Sequence, residues 1–176
     1  MKVKVQNNFE EIIIKHQQKI YKFIFSFVKN ENDTDEIAQQ TFFNAFKGYK
    51  KFRGESSVDT WLIKIAINNI RTHFRKKKFF SIFKVLDNEE IEIKDLKDDL
   101  KSAEEVVKNK MISNKINKAI EDLPARQKEV FVMKHIDGLS ISEIADILEI
   151  AEGSVKASIF KAINNLRKLL GGIDEL

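Results

Sequence analysis

Six lysines and arginines and no acid fall between residues 61 and 80. Lys64, Asn68, Arg71 and Arg75 recur at intervals of four, three and four, which gathers them on one face of a helix. A track of that kind suits phosphates. Tyr49, Phe52, Arg53 and Trp61 lie just before it or at its start. Cations interleaved with rings suit single-stranded bases, which stack on aromatic side chains once unpaired. The competing reading makes Trp61 a core residue and leaves the basic face merely solvated. For Lys64 and Arg71 the nucleic-acid reading is preferred.

A second set lies near the C-terminus. Residues 137–152 hold five acids and no Lys or Arg, whereas residues 153–170 hold Lys156, Lys161, Arg167 and Lys168 and no acid. Ile141, Ile144, Ala145 and Leu148 make the inner face of a short helix. Val155, Ile159, Ile163, Leu166 and Leu170 make that of a longer one after a brief turn, 149–153. The small Ala145 allows a close crossing. This is the helix-turn-helix pattern, whose second helix enters the major groove. Steps of 100° place Ala157, Lys161, Asn164 and Lys168 opposite the apolar stripe. Lys156 and Phe160 lie on its flanks, where Phe160 suits a thymine methyl. An ordinary helical hairpin with a solvated basic face is the alternative. Glu149 stands where the turn favours glycine, because a left-handed backbone there is costly for other residues.

Other chemistry is poorly supplied. There is no cysteine, which excludes disulfides and thiolate metal sites. No glycine-rich nucleotide loop occurs. His16, His73 and His135 are isolated, without metal-ligand spacing. His16 falls on an apolar stripe and reads as packed. Asp33, Asp35 and Glu36 crowd a helix start, where the dipole favours acids. No catalytic residue, metal or cofactor is expected, and no enzyme.

The elements that must position these groups are helices. One proline and six glycines leave little for a turn-rich β fold. Phe9, Ile12, Ile13, His16, Ile20, Phe23, Ile24 and Phe27 line a first helix. Asp33 is expected to cap a second, with Glu36 as capping-box partner and Ile37, Phe42, Ala45 and Phe46 as its apolar contacts. Ser56 or Ser57 caps a third, with Val58, Trp61, Leu62, Ile65, Ile70 and Phe74 inward. From 79 to about 112 the pattern weakens into a linker with some helix near its end. It carries an apolar cluster at 79–83 and an acidic stretch at 87–99. Further on, Pro124 and Gly138 punctuate short helices, and Ser140 with Glu143 forms a capping box. Net charge runs +8 over 1–80, −3 over 81–112 and −1 over 113–176, which suggests separate tasks.

The expectation is an all-α fold: a helical domain over 1–78, a partly ordered linker over 79–112 and a helix-turn-helix domain over 113–176. No secretory signal or spanning apolar run is visible, so a cytoplasmic chain without stable membrane insertion is expected. The basic run 75–78 beside the apolar cluster also permits contact with a membrane surface.

Two blocks of residues together resemble the extracytoplasmic-function (ECF) sigma factors. The first is Asp33-Thr34-Asp35-Glu36-Ile37-Ala38-Gln39-Gln40-Thr41-Phe42, then Phe52-Arg53-Gly54-Glu55-Ser56-Ser57, Thr60-Trp61-Leu62 and Ile65-Ala66-Ile67-Asn68. The second is Leu123-Pro124, Gly138-Leu139-Ser140, Glu143-Ile144-Ala145 and Gly153-Ser154-Val155-Lys156. The resemblance implies that Asp35, Glu36, Gln39 and Phe42 bind the coiled-coil clamp of core RNA polymerase. It implies that Phe52, Arg53, Trp61, Lys64, Asn68, Arg71 and Arg75 recognise and melt the minus-ten element of promoter DNA. Asn68 matches a position associated with the pocket for a flipped base. Ser154, Lys156, Ala157, Phe160, Lys161 and Asn164 would read the minus-thirty-five element. The acidic linker would thread polymerase channels otherwise used by RNA, and an anti-sigma factor would be the regulator. No small-molecule substrate is implied. Gln40 departs from the family's usual acid, and Ala157-Ser158 from a pair that often includes arginine. The cluster at 79–83 matches no family motif.

Two rivals remain at this stage. One is an autonomous helix-turn-helix repressor or activator, which would have no use for the block from Asp33 to Trp61. The other is a nucleic-acid enzyme using the acids at 33–36 and a metal.

Overall fold

A computed structural model describes the backbone of residues 2–86 and 104–171 and the side chains of residues 9–78 and 113–171. The acidic stretch 87–99 lies outside them. The chain divides into two compact units, Met1–Glu90 and Ile91–Leu176. All regular structure in the described residues is helical.

The first unit is built from α1 (Lys2–Val28), α2 (Glu31–Gly48), a single 3-10 turn (Tyr49–Lys51) and α3 (Val58–Leu86). Each helix packs on the other two. Its core comes from Phe9, Ile20, Phe23, Ile24 and Phe27 of α1, Ile37 and Ala45 of α2, and Leu62, Ile63, Ala66, Ile67 and Ile70 of α3. Of the stripe expected on α1, Ile12, Ile13 and His16 are only half-buried. On α3, Ile63, Ala66 and Ile67 are buried, whereas Trp61 and Ile65, expected inward, are half-buried and Phe74 is exposed.

The start of α2 corrects the expected cap. Asn30, not Asp33, is the N-cap, and its side chain accepts the Asp33 backbone N–H at 2.9 Å. Asp33 stands three residues inside the helix, and its carboxylate turns to α3. The buried stripe of α2 also differs from the apolar reading. It runs Thr34, Ile37, Thr41, Ala45, while Phe42 is half-buried and Phe46 exposed. Two threonines hold core positions because each hydroxyl donates one turn back: Thr34 to the Asn30 carbonyl at 2.6 Å, Thr41 to that of Ile37 at 2.7 Å. A bonded hydroxyl escapes the cost of burying a free one.

At the other end the cap is as expected. Ser57 Oγ accepts the Thr60 N–H at 3.1 Å and α3 begins at Val58. That helix does not stop where the hydrophobic pattern weakens. Its backbone stays helical to Leu86, through the cluster at 79–83. No glycine or proline interrupts the sequence there to stop it.

The second unit holds α4 (Glu104–Glu121), α5 (Ala125–Phe131), one π turn (Val132–Ile136), α6 (Ile141–Leu148) and α7 (Glu152–Leu169). Its core gathers Ala119, Ile120, Leu123, Val130, Val132, Met133, Leu139, Ile144, Ile147, Leu148, Val155, Ala162 and Leu166. Gly138, at φ +72°, turns the chain after the π turn. Ser140 caps α6 in a complete capping box: its Oγ accepts from Glu143 N–H at 3.2 Å, and Glu143 accepts the Ser140 N–H at 2.8 Å. Glu149 ends α6 in the left-handed conformation, φ 55°, ψ 48°, as its place in the turn requires. The start of α7 is one residue earlier than expected, at Glu152.

Candidate functional site

On α2, Asp35, Glu36 and Gln39 are exposed and Phe42 is half-buried. Spacings of three and four put all four on one face. The sequence reading missed how aromatic the end of this helix is. Phe43 is 52% exposed, with the Lys47 ammonium 4.0 Å from its ring centre, and Phe46 is 45% exposed. The signal was hidden because threonines, not these rings, carry the inward stripe.

Polar contacts fix α2 against α3. Gln40 donates to Asn44 Oδ1 at 2.9 Å, Asn44 to Asn69 Oδ1 at 3.2 Å, and Asn69 to the buried Thr41 Oγ1 at 3.1 Å. Gln40, where the sequence departs from the family's acid, thus begins an amide relay between the helices. Asp33 meets Lys77 at 3.5 Å, and its carboxylate lies 3.4 Å from His73 Nε2. At the other end of the unit, Asp59 in the first turn of α3 receives His16 Nδ1 at 2.5 Å and Lys19 Nζ at 2.7 Å from α1. Burial by itself would raise the Asp59 carboxyl, but the hydrogen bonds from Lys19 and His16 and their charge outweigh it and hold it below its ordinary value. His16 therefore sits on the apolar stripe as the partner of an acid across two helices, not as an apolar filler.

The expected minus-ten residues are arranged in two ways. Lys64 and Arg71 are half-buried on the outer side of α3, and Asn68, Arg75 and the lysines 76–78 are exposed. Arg71 donates to Asn68 Oδ1 at 3.4 Å. Arg53 is exposed in the loop, with Glu55 at 4.0 Å. Phe52 and Trp61, by contrast, stack on each other with ring centres 4.7 Å apart and planes 29° apart. They end a ladder of five rings. Phe46 meets Phe9 at 5.4 Å, Phe9 meets Tyr49 at 5.3 Å, and Tyr49 meets Trp61 at 6.4 Å. Trp61 packs but is only half-buried, so it is not the enclosed core residue of the competing reading. The ladder also ties the aromatic end of α2 to the loop before α3.

The outer side of α7 is open. Ser154, Lys156, Ala157, Phe160 and Lys161 are exposed, Phe160 by 67%, and Asn164 is half-buried. Val155, Ala162 and Leu166 face inward. The neighbouring Asn165 is engaged elsewhere, donating to Gln127 Oε1 of α5 at 2.8 Å. That bond fixes the roll of α7 and leaves Asn164 on the outer side.

Among the described residues no group of three or more His, Asp or Glu could hold a metal ion. None of the described helices is long and apolar enough to cross a membrane.

Comparison with known proteins agrees in both units. Residues 12–80 match the family model for sigma-70 region 2, and residues 113–166 that for sigma-70 region 4. The chain is 32% identical over 168 residues to the ECF RNA polymerase sigma factor SigW of Bacillus subtilis, covering 94% of this chain and 90% of that protein. It is 28% identical over 165 residues to the RNA polymerase sigma-H factor of Pseudomonas aeruginosa, covering 92% and 86%. Among solved structures it is similar to the sigma factor RpoE crystallised with the anti-sigma factor NepR from Bartonella quintana. There the TM-score is 0.70 at 21% identity, over 94% of this chain and 98% of that one, a likeness of fold. With both regions matched in chain order and nearly the whole length shared with a relative above 30% identity, the chain belongs to the ECF RNA polymerase sigma factors, proteins that direct promoter-specific transcription.

Proposed function

We propose that this chain acts without enzymatic chemistry of its own, in the cytoplasm, as the subunit that brings core RNA polymerase to promoter DNA. Asp35, Glu36, Gln39 and Phe42 on α2 bind the polymerase. Phe52, Arg53, Trp61, Lys64, Asn68, Arg71 and Arg75 engage the minus-ten element, and Ser154, Lys156, Ala157, Phe160, Lys161 and Asn164 the minus-thirty-five element. The observation that carries the reading is the pair of faces on the first unit. An acidic face on α2 and a basic face on α3 are locked together by the Gln40–Asn44–Asn69–Thr41 relay. A rigid unit with those two faces can hold a protein surface and a nucleic acid at a fixed mutual angle. An autonomous repressor has no need of the first face.

Division into units over 1–78 and 113–176, with 79–112 as linker, is the organisation that suits this work. An anti-sigma factor, the partner named for the Bartonella quintana relative, fits as regulator.

The test is binding of the purified chain to core RNA polymerase. Asp35→Ala with Glu36→Ala is expected to weaken it at least tenfold. Lys64→Ala with Arg71→Ala is expected to spare polymerase binding and impair promoter opening. Equal loss of both activities in Lys64→Ala with Arg71→Ala would sink the division of labour. Tight, dimeric, sequence-specific duplex binding without polymerase would favour the autonomous regulator.

A further inference from the structure

One ring of the aromatic ladder differs from the rest. Phe46 is exposed, and Tyr49, Phe52 and Trp61 are half-buried, but Phe9 is 3% exposed. It comes from α1, which supplies none of the residues assigned to polymerase or DNA. It nonetheless stands between the two sets. Its ring makes an edge-to-face contact at 5.4 Å with Phe46, one turn beyond Phe42 on α2. On its other side it meets Tyr49 at 5.3 Å, from which the ladder continues to Trp61 and Phe52.

The far end of the ladder needs support. Residues 52–57 belong to no helix, and Gly54, at φ +75°, turns the chain there. Phe52 is tied back by its backbone N–H, which donates to the Tyr49 carbonyl at 3.1 Å. Trp61 leans on the end of α2, its Cζ2 3.5 Å from the point that a Cβ on Gly48 would occupy. Both anchors, Tyr49 and the end of α2, are what the Phe9 ring packs against or beside. A ring pair on such a segment offers bases a fixed place only when its neighbours hold it there. Phe9 is too buried to touch polymerase or DNA, so any effect on either passes through the rings beside it. Phe23, a second buried ring of α1, instead pairs with Phe27 at 5.2 Å.

We propose that Phe9 is a positioning residue for promoter opening. It holds Tyr49, and through it the Trp61–Phe52 stack, in the geometry that receives unpaired bases. The proposal deepens the reading of Phe52 and Trp61 as minus-ten contacts and rests on it.

The experiment compares Phe9→Leu with Phe23→Leu in the full chain. Both remove a buried ring from α1 and keep an apolar side chain, so a purely structural role predicts like effects. Each variant is loaded onto core RNA polymerase with a duplex that the native holoenzyme enriches from a pool randomised across both promoter elements. Opening is read by permanganate reactivity of unpaired thymines. Phe9→Leu is expected to lower opening about fivefold, the worth of one aromatic pair, at unchanged polymerase affinity. In the free chain its Trp61 emission is expected to shift to the red and become more open to acrylamide quenching. Phe23→Leu is expected to change neither opening nor Trp61 emission. Phe46→Leu, at an exposed position that folding tolerates, removes the edge-to-face partner of Phe9. It is expected to lower opening in the same direction even if Phe9→Leu does not fold.

Equal opening by Phe9→Leu and Phe23→Leu overturns the proposal. So does a loss of polymerase affinity that matches the loss of opening, or full opening by Phe46→Leu. In each case Phe52→Ala still lowers opening if the minus-ten assignment stands. Full opening by Phe52→Ala overturns that assignment and the proposal together.

Discussion

The faces of α3 and α7 are both basic, yet the structure treats them differently. Around the start of α3 the rings of the expected minus-ten set are already committed. Phe52 and Trp61 stack on each other, and the ladder behind them runs back through Tyr49 and Phe9. On α7 the single ring, Phe160, stands open among exposed neighbours. The difference suits the two tasks proposed for these faces. Melting a duplex calls for a preformed surface that offers unpaired bases a ready place, since stacking platforms work best when they need no rearrangement. Reading an intact duplex calls for side chains that project from a fixed helix into a groove. The scaffold under each face follows suit. Polar contacts across three helices stiffen the first unit, whereas in the second a capping box and one Asn165–Gln127 bond orient a short helical hairpin.

That contrast is testable because Trp61 is the only tryptophan in the chain and lies in the first unit. Its fluorescence follows that unit, whereas far-ultraviolet circular dichroism follows both. The largest effect is expected from Phe23→Ala. Phe23 is fully buried between the helices of the first unit, and its loss leaves a cavity costing about 3–5 kcal/mol. The Trp61 transition in denaturant shifts accordingly, while the part of the dichroism signal that does not track Trp61 stays in place. A single shared transition, displaced as a whole, would show that the units unfold together and would erase the contrast.

Ser140→Ala is expected to act the other way round. It removes the capping box of α6 at a cost of about 1 kcal/mol. The shift appears in dichroism and not in Trp61 fluorescence. Asp59→Asn addresses the first unit again, by electrostatics, at about 1 kcal/mol near neutral pH, since the carboxylate is only partly shielded from solvent. Its pH dependence has a definite sign. The folded carboxyl lies below its ordinary 3.8, so its contribution is present above that value and fades as pH falls through the lower folded value. The stabilities of the native chain and of the Asp59→Asn variant, measured by urea unfolding, therefore converge in acid. A gap that widened there would refute the Asp59 pairing. Smallest is Glu149→Gly, which relieves a left-handed residue at φ 55° and is expected to stabilise the second unit by about 0.5–1 kcal/mol. A loss of stability would mean that the Glu149 side chain matters more than its backbone.

Much of the molecule was legible in the sequence. Periodicity and the scarcity of glycine and proline pointed to an all-helical chain. Ser140 with Glu143 identified the start of α6, because a capping box is a local arrangement of four residues. The left-handed turn at Glu149 was legible for the same reason. On α7 the spacing foretold the exposure of Ser154, Lys156, Ala157, Phe160 and Lys161, whereas Asn164, expected outward, and Ile159, Ile163 and Leu170, expected inward, are all half-buried. The start of α2 was not. Asn30, Asp33 and Glu31 are all acceptable near a helix N-terminus, and only the recruitment of Asp33 by α3 separates them.

What the sequence by itself determined, then, is what depends on neighbours within a few residues: helical periodicity, caps, charge blocks, and motif order sufficient to place the chain among sigma factors. Tertiary structure decided what depends on residues far apart. It gave threonines rather than phenylalanines the inward stripe of α2, where each hydroxyl bonds to a carbonyl of its own helix and so can be buried. It paired His16 with Asp59 across 43 positions. It made one ladder of Phe46, Phe9, Tyr49, Trp61 and Phe52, because ring packing depends on distance in space and is invisible to spacing along the chain.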